Sequence, residues 1–180
     1  MKNIHTNILA AAVLLATSAP AAFAADGTLT INGKITAQTC TISGNGGGKD
    51  FTVTLPTISN SALPAVGATA GRTPFNIALS ACTPNSGNVL VYFEPGSNAS
   101  SSTGNLHNTA TGGAANVQVS LLNGDMTKIN MNNGQATQNS KPVALTNGAA
   151  TLNYYAQYVS TGAVTAGDVT AVSMYSVVYQ

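Results

Sequence analysis

Few side chains in this 180-residue chain could perform chemistry: two cysteines, two histidines and five carboxylates. A catalytic nucleophile needs a base within hydrogen-bond reach, and a metal ion needs several ligands close together. His107 stands alone in a loop rich in Ser, Gly, Asn and Thr, and the carboxylates are scattered. They are Asp26, Asp50, Glu94, Asp125 and Asp168. The sequence therefore predicts no enzyme activity, no cofactor and no metal site.

Cys40 and Cys82 are the remaining reactive groups, and the start of the chain indicates their chemistry. Residues 1–24 have the features of a secretory signal: a short polar start, an apolar run too short to span a membrane, and a small-x-small cleavage pattern at Ala22–Ala24. The mature chain should begin near Ala25. In an oxidising compartment the two cysteines are expected to form a disulfide rather than a metal site.

Composition limits the choice of partner. Charged residues make up 6% of the chain, and removal of Lys2 with the signal leaves five basic and five acidic residues. Nucleic acids and anionic membranes attract basic clusters, so neither is predicted as a partner, and no membrane insertion is expected. The mature length suits one domain, and a net charge near zero permits association between copies.

The two ends of the mature chain have complementary patterns. The first residues alternate strictly, which predicts a strand with one face to bury. That face carries Gly27, Leu29, Ile31, Gly33 and Ile35. The last fourteen residues, Gly167–Gln180, predict a strand that runs to the C-terminus. Its first face carries Val169, Ala171, Ser173, Tyr175, Val177 and Tyr179. An exposed edge on a terminal strand invites pairing with another chain.

The second face of this C-terminal strand is also partly apolar. Ordinary core or strand packing is expected for Val172, Met174 and Val178, so the sequence predicts burial or pairing on both faces.

Between the two ends, every convincing segment has the pattern of a strand, and polar, turn-rich stretches separate them. The predicted strands cover residues 34–42, 51–55, 74–79, 88–93, 117–122 and 151–159. The turn-rich stretches are residues 43–49, 96–113 and 130–142. Short strands separated by such turns favour an all-β sandwich, with no repeat and no second domain.

In order and spacing, the motifs resemble the major structural subunits of type 1-like fimbriae, which the chaperone–usher route assembles in Gram-negative bacteria. The resemblance covers the whole precursor. It rests on Gly27 and Gly33 before Cys40, Val53-Thr54-Leu55-Pro56, Gly71-Arg72-Thr73-Pro74-Phe75 leading to Cys82, Tyr155-Ala156-Gln157-Tyr158, Gly167 and the penultimate Tyr179.

The resemblance implies an incomplete immunoglobulin-like sandwich that lacks its final strand and is completed by a donor strand from another subunit. It divides the chain into a signal peptide (1–24), a donor-strand extension (25–35) and a pilin domain (36–180). Leu29 and Ile31 resemble bulky groove-filling residues. Gly27 resembles the small residue over a shallow part of the groove, and Ala25 would lie where exchange begins. Gly33 belongs to the same donor strand.

For the C-terminal strand, the resemblance implies a groove-lining and chaperone-pairing role. The residues concerned are Gly167, Val169, Ala171, Tyr175, Val177, Tyr179 and Gln180. Basic residues of the chaperone would anchor the carboxylate of Gln180. The implied partners are identical subunits, a periplasmic chaperone and an outer-membrane usher, and the resemblance also allows a tip adhesin. The chain would pass through the periplasm to a surface fibre used for adhesion. A minor adaptor or tip-associated pilin is the alternative.

Overall fold

The computed structural model describes residues 27–33, 35, 37 and 39–180. The chain divides into two units, Met1–Ile35 and Thr36–Gln180. The predicted signal and Ala25 lie outside the described residues, as do Lys34, Thr36 and Gln38 of the predicted first strand. No helix in the described part of the chain has the length and apolarity needed to cross a membrane.

Eight strands form two antiparallel sheets in the second unit. They are β1 (Thr39–Gly44), β2 (Thr69–Thr83), β3 (Asn88–Glu94), β4 (Leu106–His107), β5 (Val117–Asn123), β6 (Val143–Ala144), β7 (Ala150–Ser160) and β8 (Met174–Tyr179). A five-stranded sheet has the order β1-β2-β7-β5-β4, and a three-stranded sheet has the order β6-β3-β8. One 3-10 turn covers Asn60–Ala62. The prediction of an all-β fold is confirmed.

The core is built on alternation along the paired strands β2 and β7. Phe75 and Ile77 point inward from β2, directly opposite Tyr154 and Leu152 of β7. The ring centroids of Phe75 and Tyr154 are 5.5 Å apart, and Tyr154 meets Phe93 of β3 edge-on at 5.1 Å. These aromatic contacts join the two sheets, and the inward faces predicted for both strands are confirmed.

The predicted disulfide is present. Cys40 and Cys82 are bonded, with their Cα atoms 4.1 Å apart, so the bridge ties β1 to the end of β2. Their sequence separation is 42 residues. Closing a loop of this size stabilises a fold by about 4 kcal/mol in the chain-entropy model.

One edge of the three-stranded sheet is covered by a loop predicted only as turn-rich. Gln138, which is fully buried, accepts a hydrogen bond from Phe93 N at 2.9 Å and donates one to Phe93 O at 2.6 Å. Its amide takes the place of a neighbouring strand beyond the two-residue β6. That edge of β3 is therefore occupied along most of its length.

The predicted strand over residues 51–55 is not formed, although its alternation is real. Phe51, Val53 and Leu55 are half-buried against the core, whereas the residues between them are exposed. A strand needs a hydrogen-bonded neighbour, and no backbone hydrogen bond joins 51–58 to another described segment. The pattern identified the buried face correctly, but the ladder partner is missing.

The C-terminal strand is shorter than predicted, and its second face is mostly exposed. β8 covers Met174–Tyr179 within the predicted Gly167–Gln180. Val172 is 54% exposed and Met174 is 69% exposed, so the packing expected of these two side chains is wrong, whereas Val178 is half-buried as expected. Antiparallel sheets commonly leave one face in solvent, and here the outer face of the small sheet is the solvated one.

Candidate functional site

The C-terminal strand β8 forms an edge of the small sheet and pairs with β3 through its even-numbered residues. Gln180 N donates to Asn88 O at 2.8 Å, and Asn88 N donates to Gln180 O at 3.3 Å. Hydrogen-bonded pairs alternate along an antiparallel ladder. Residues 178, 176 and 174 therefore also direct their backbone groups toward β3, in the register that places Tyr92 opposite Ser176.

The segment before β8 is extended by different means. Before residue 174, the hydrogen-bond partners of the tail come from the loop over residues 98–114, whereas from residue 174 onward they come from β3. Thr109 N donates to Thr170 O at 2.8 Å, Ala114 N donates to Asp168 O at 2.9 Å, and Asn98 Nδ2 donates to Val172 O at 3.2 Å. These bonds again use even-numbered residues of the tail.

The odd-numbered residues from 169 to 179 consequently direct their N–H and C=O groups to the opposite side. We call this side the open edge. No described strand pairs with it. The side chains of the same odd positions pack half-buried against the core, with Ser173 equally half-buried. They include Val169, Ala171, Tyr175, Val177 and Tyr179. One set of residues thus presents both unpaired backbone groups and incompletely covered apolar side chains.

Residues 51–55 supply a second run of half-buried apolar side chains against the same core. The Phe51 ring lies 6.2 Å from that of Tyr175, edge to face, and 6.1 Å from Phe75. Tyr175 Oη also donates to Lys49 O at 2.6 Å. These contacts bring the start of the 51–55 segment against the open edge. The core strip beside them lacks a covering strand among the described residues.

The titratable groups along this strip are partly shielded from water. Burial raises the pKa of the Tyr175 phenol, and the nearby Asp50 carboxylate raises it further. Burial also raises the pKa of the Tyr179 phenol. The exposed Lys49–Asp50 pair, with Nζ and Oδ2 2.9 Å apart, is the nearest charge pair. Within the described ranges, no group of three potential metal ligands comes together. The surface is suited to apolar and backbone contacts.

The predicted donor segment lies in the first unit. Its described residues have no strand partner, and their large apolar side chains are exposed. Leu29 and Ile31 are each 84% exposed, and Ile35 is fully exposed. Gly27 and Gly33 have no heavy atom within 4 Å of where a Cβ would stand. The alternation that predicts a strand is therefore present in a segment that is not folded as one, with its bulky apolar residues unburied.

Gly167 lies where the tail runs closest to the 98–114 loop. A Cβ at Gly167 would meet Ala114 N at 2.5 Å, and one at Gly113 would clash with Asp168 O. The sequence reasoning identified Gly167 but missed Asn108, whose amide makes four hydrogen bonds at this junction. Its partners lie up to 62 residues away, so no local pattern marks it.

Comparison with known proteins gives consistent similarities. The family model described as type-1 fimbrial protein, A matches residues 55–180. The chain is 51% identical to the major fimbrial subunit SMF-1 of Stenotrophomonas maltophilia over 171 residues, covering 92% of this chain and 99% of that one. It is 45% identical to the F17 fimbrial protein of Escherichia coli over 173 residues, covering 93% and 95%.

Among solved structures, a subunit of a chaperone–usher pilus superposes with a TM-score of 0.61. It is 20% identical and covers 90% of this chain and all of that one. At this identity the match concerns the fold, which is the incomplete immunoglobulin-like sandwich.

Proposed function

This chain belongs to the type-1 fimbrial protein family and is a structural subunit of fimbriae, and we propose that residues 25–35 of one copy complete the open edge of the next. The observation that supports this is a match in length and period. The open edge offers six alternate residues between 169 and 179, and the extension offers six alternate residues between 25 and 35. Strand addition gives affinity through the main chain and specificity through alternate side chains.

The extension's side chains then have distinct roles. Leu29 and Ile31 enter the uncovered core strip, and burial of each contributes about 1.5–3 kcal/mol relative to exposure. Gly27 lies over a shallow part of the strip, Gly33 follows on the same face of the donor, and Ala25 occupies the point where exchange starts. Donation from one copy into the next is head-to-tail and does not close, so it generates a filament.

Before assembly, the same open edge needs a temporary partner. We assign that role to a periplasmic chaperone strand, which pairs with Tyr175, Val177 and Tyr179, while basic residues of the chaperone bind the Gln180 carboxylate. Export under the 1–24 signal, transfer to an outer-membrane usher and display on the cell surface complete the route. Residues 25–35 act as the donor and residues 36–180 as the acceptor domain.

A charge substitution on the donor face tests this assembly. Leu29→Asp places a carboxylate in the apolar strip, which is costly, so fibres composed of this variant should be absent or short. Thr30→Asp is the matched control, because it puts the same charge one residue away on the opposite face. It should assemble normally. Fibre length is measured by negative-stain microscopy, and wild-type lengths for Leu29→Asp would refute the donor assignment.

Labelling of wild-type fibres separates the two kinds of subunit. Antibody bound along the whole length is expected for a major subunit, whereas labelling confined to tips would make the chain an adaptor.

A further inference from the structure

The open edge is held in place by two different structures. Residues 174–180 are paired with β3, a regular strand. Residues 168–172 are held instead by side chains and turns of the 98–114 loop. β8 itself is six residues long, so the eleven-residue edge exists only if the loop keeps residues 168–173 extended.

Asn108 is at the centre of this second structure. Its Oδ1 accepts from Thr170 N at 2.9 Å and from Ala110 N at 3.1 Å. Its Nδ2 donates to Asp168 O and to Ala114 O, both at 2.9 Å. One amide therefore bonds the tail twice and its own loop twice. It acts as the strand that is missing beside residues 168–170.

Two neighbouring groups complete the arrangement. Thr109 donates to Thr170 O from its backbone N at 2.8 Å and from Oγ1 at 3.1 Å. Asn98 Nδ2 donates to Val172 O at 3.2 Å. We call the side chains of Asn98, Asn108 and Thr109, with the tail groups they bond, the Asn108 clamp.

The close backbone approach beside the clamp is independent of these side chains. A side chain at Gly113 or Gly167 would overlap the facing backbone, so only glycines allow the two segments to meet at this distance. The loop and tail are thus shaped to fit each other at the Asn108 clamp.

We propose that Asn108 is a positioning residue for subunit assembly: its clamp fixes residues 168–173 so that the open edge receives the full length of a donor strand. This rests on the proposed donor-strand function and adds a requirement to it. Without the clamp, the edge would shorten to β8, and the donor would lose its backbone partners at Val169, Ala171 and Ser173. Its pairing with residues 175, 177 and 179 would remain.

Amide hydrogen exchange on assembled fibres of the mature chain tests the proposal residue by residue. In wild-type fibres, all six odd-numbered amides from 169 to 179 should be protected. In Asn108→Ala fibres, those of Val169, Ala171 and Ser173 should exchange about tenfold faster or more, as expected for a lost hydrogen-bonded partner. The amides of Tyr175, Val177 and Tyr179 should be unchanged. Asn133→Ala is the control, since Asn133 Nδ2 bonds only within its own turn, to Thr137 O.

Two further variants separate a specific role from general destabilisation. Asn108→Asp keeps the acceptor for Thr170 N but loses the donor to Asp168 O, so Val169 should be affected more than Ser173. Asn98→Ala removes the single bond to Val172 O and should affect Ser173 alone. Amides of Ile77 and Leu152 report whether the core is intact. If Asn108→Ala does not polymerise alone, it is co-assembled as a labelled minority with wild-type chain, and exclusion of a folded variant would support the proposal.

The possible failures are distinguishable. Unprotected amides at residues 175–179 of wild-type fibres would overturn the donor-strand function itself. Protection at 175–179 with rapid exchange at 169–173 would overturn the role of the clamp and leave the function standing. Asn108→Ala fibres with wild-type exchange at all six positions would also overturn the role of Asn108.

Discussion

At the scale of single residues, Tyr154 shows how the core tolerates a polar atom. It is 2% exposed, and its hydroxyl lies buried beside the Ser140 hydroxyl and the Val91 backbone, where neither hydroxyl makes a hydrogen bond of good geometry. Its ring, however, contacts both Phe75 and Phe93. The aromatic body therefore stabilises the sandwich, while the hydroxyl adds a desolvation cost of about 1–3 kcal/mol.

Tyr154→Phe is expected to be neutral or stabilising near neutral pH because it removes a buried, poorly bonded hydroxyl and keeps the ring. Burial raises the pKa of Tyr154 to about 12 in the fold, above its ordinary value of 10.0. A raised folded-state pKa gives stability that is complete below the unfolded value and is lost as the pH rises through the folded one. The wild-type chain should therefore lose up to about 3 kcal/mol more than Tyr154→Phe between about pH 10 and pH 12.

Thermal unfolding of both chains as a function of pH measures this difference. Because the other tyrosines are shared by the two chains, their contributions cancel in the comparison. Parallel alkaline losses in the two chains would contradict the assignment.

At the scale of elements, the C-terminal segment has two faces with different environments. Its odd residues face the core and the open edge, and its even residues face solvent and the ladder with β3. A single substitution can therefore be placed on one face without touching the other.

Val177→Asn and Met174→Asn compare these two faces. Val177 is half-buried in the uncovered strip, whereas Met174 is 69% exposed. Burying an amide without a partner costs about 1–3 kcal/mol, so Val177→Asn fibres should dissociate in hot detergent at a lower temperature than wild type. Met174→Asn fibres should behave like wild type. Equal dissociation temperatures for the two variants would show that the odd face is not the assembly face.

Sequence patterns predicted the elements whose partners lie in the same sheet and core. Ile77 and Leu152 alternate with polar or small neighbours, and the structure places them opposite each other. Residues 51–55 show the limit of this reasoning: alternation reports one buried face but says nothing about whether a ladder partner exists. Asn108 shows a second limit, because its bonds to Asp168 and Thr170 join distant segments through one polar side chain.

At the scale of the whole molecule, stability and association use separate chemistry. The chain has two cysteines, and both are consumed in the Cys40–Cys82 bridge. The proposed contact between copies contains ladder hydrogen bonds and apolar burial, with no covalent link. A single ion pair, Lys49–Asp50, joins described residues.

Fibres boiled in detergent without reductant should therefore release monomers that still contain the bridge. Adding reductant should change only the migration of the released monomer, since the opened chain is less compact. Non-reducing electrophoresis after boiling, with intact-mass measurement of the monomer band, gives the answer. Fibres that dissociate only with reductant would show that cysteines link neighbouring copies.

At the odd positions the buried side chains and the open backbone groups belong to the same residues. The proposed joint between two copies therefore allows the donor strand to shift only by an even number of residues. A donor strand displaced by one residue would turn Leu29 and Ile31 away from the strip and be rejected at once. A displacement by two would keep every alternate side chain inward, and only the small residues Gly27 and Gly33 distinguish it from the correct setting. Each such slip would change the spacing of neighbouring copies by about 6.6 Å. Uniform pitch along a fibre of many identical joints would then depend on Gly27 and Gly33, the two donor residues that have no side chain.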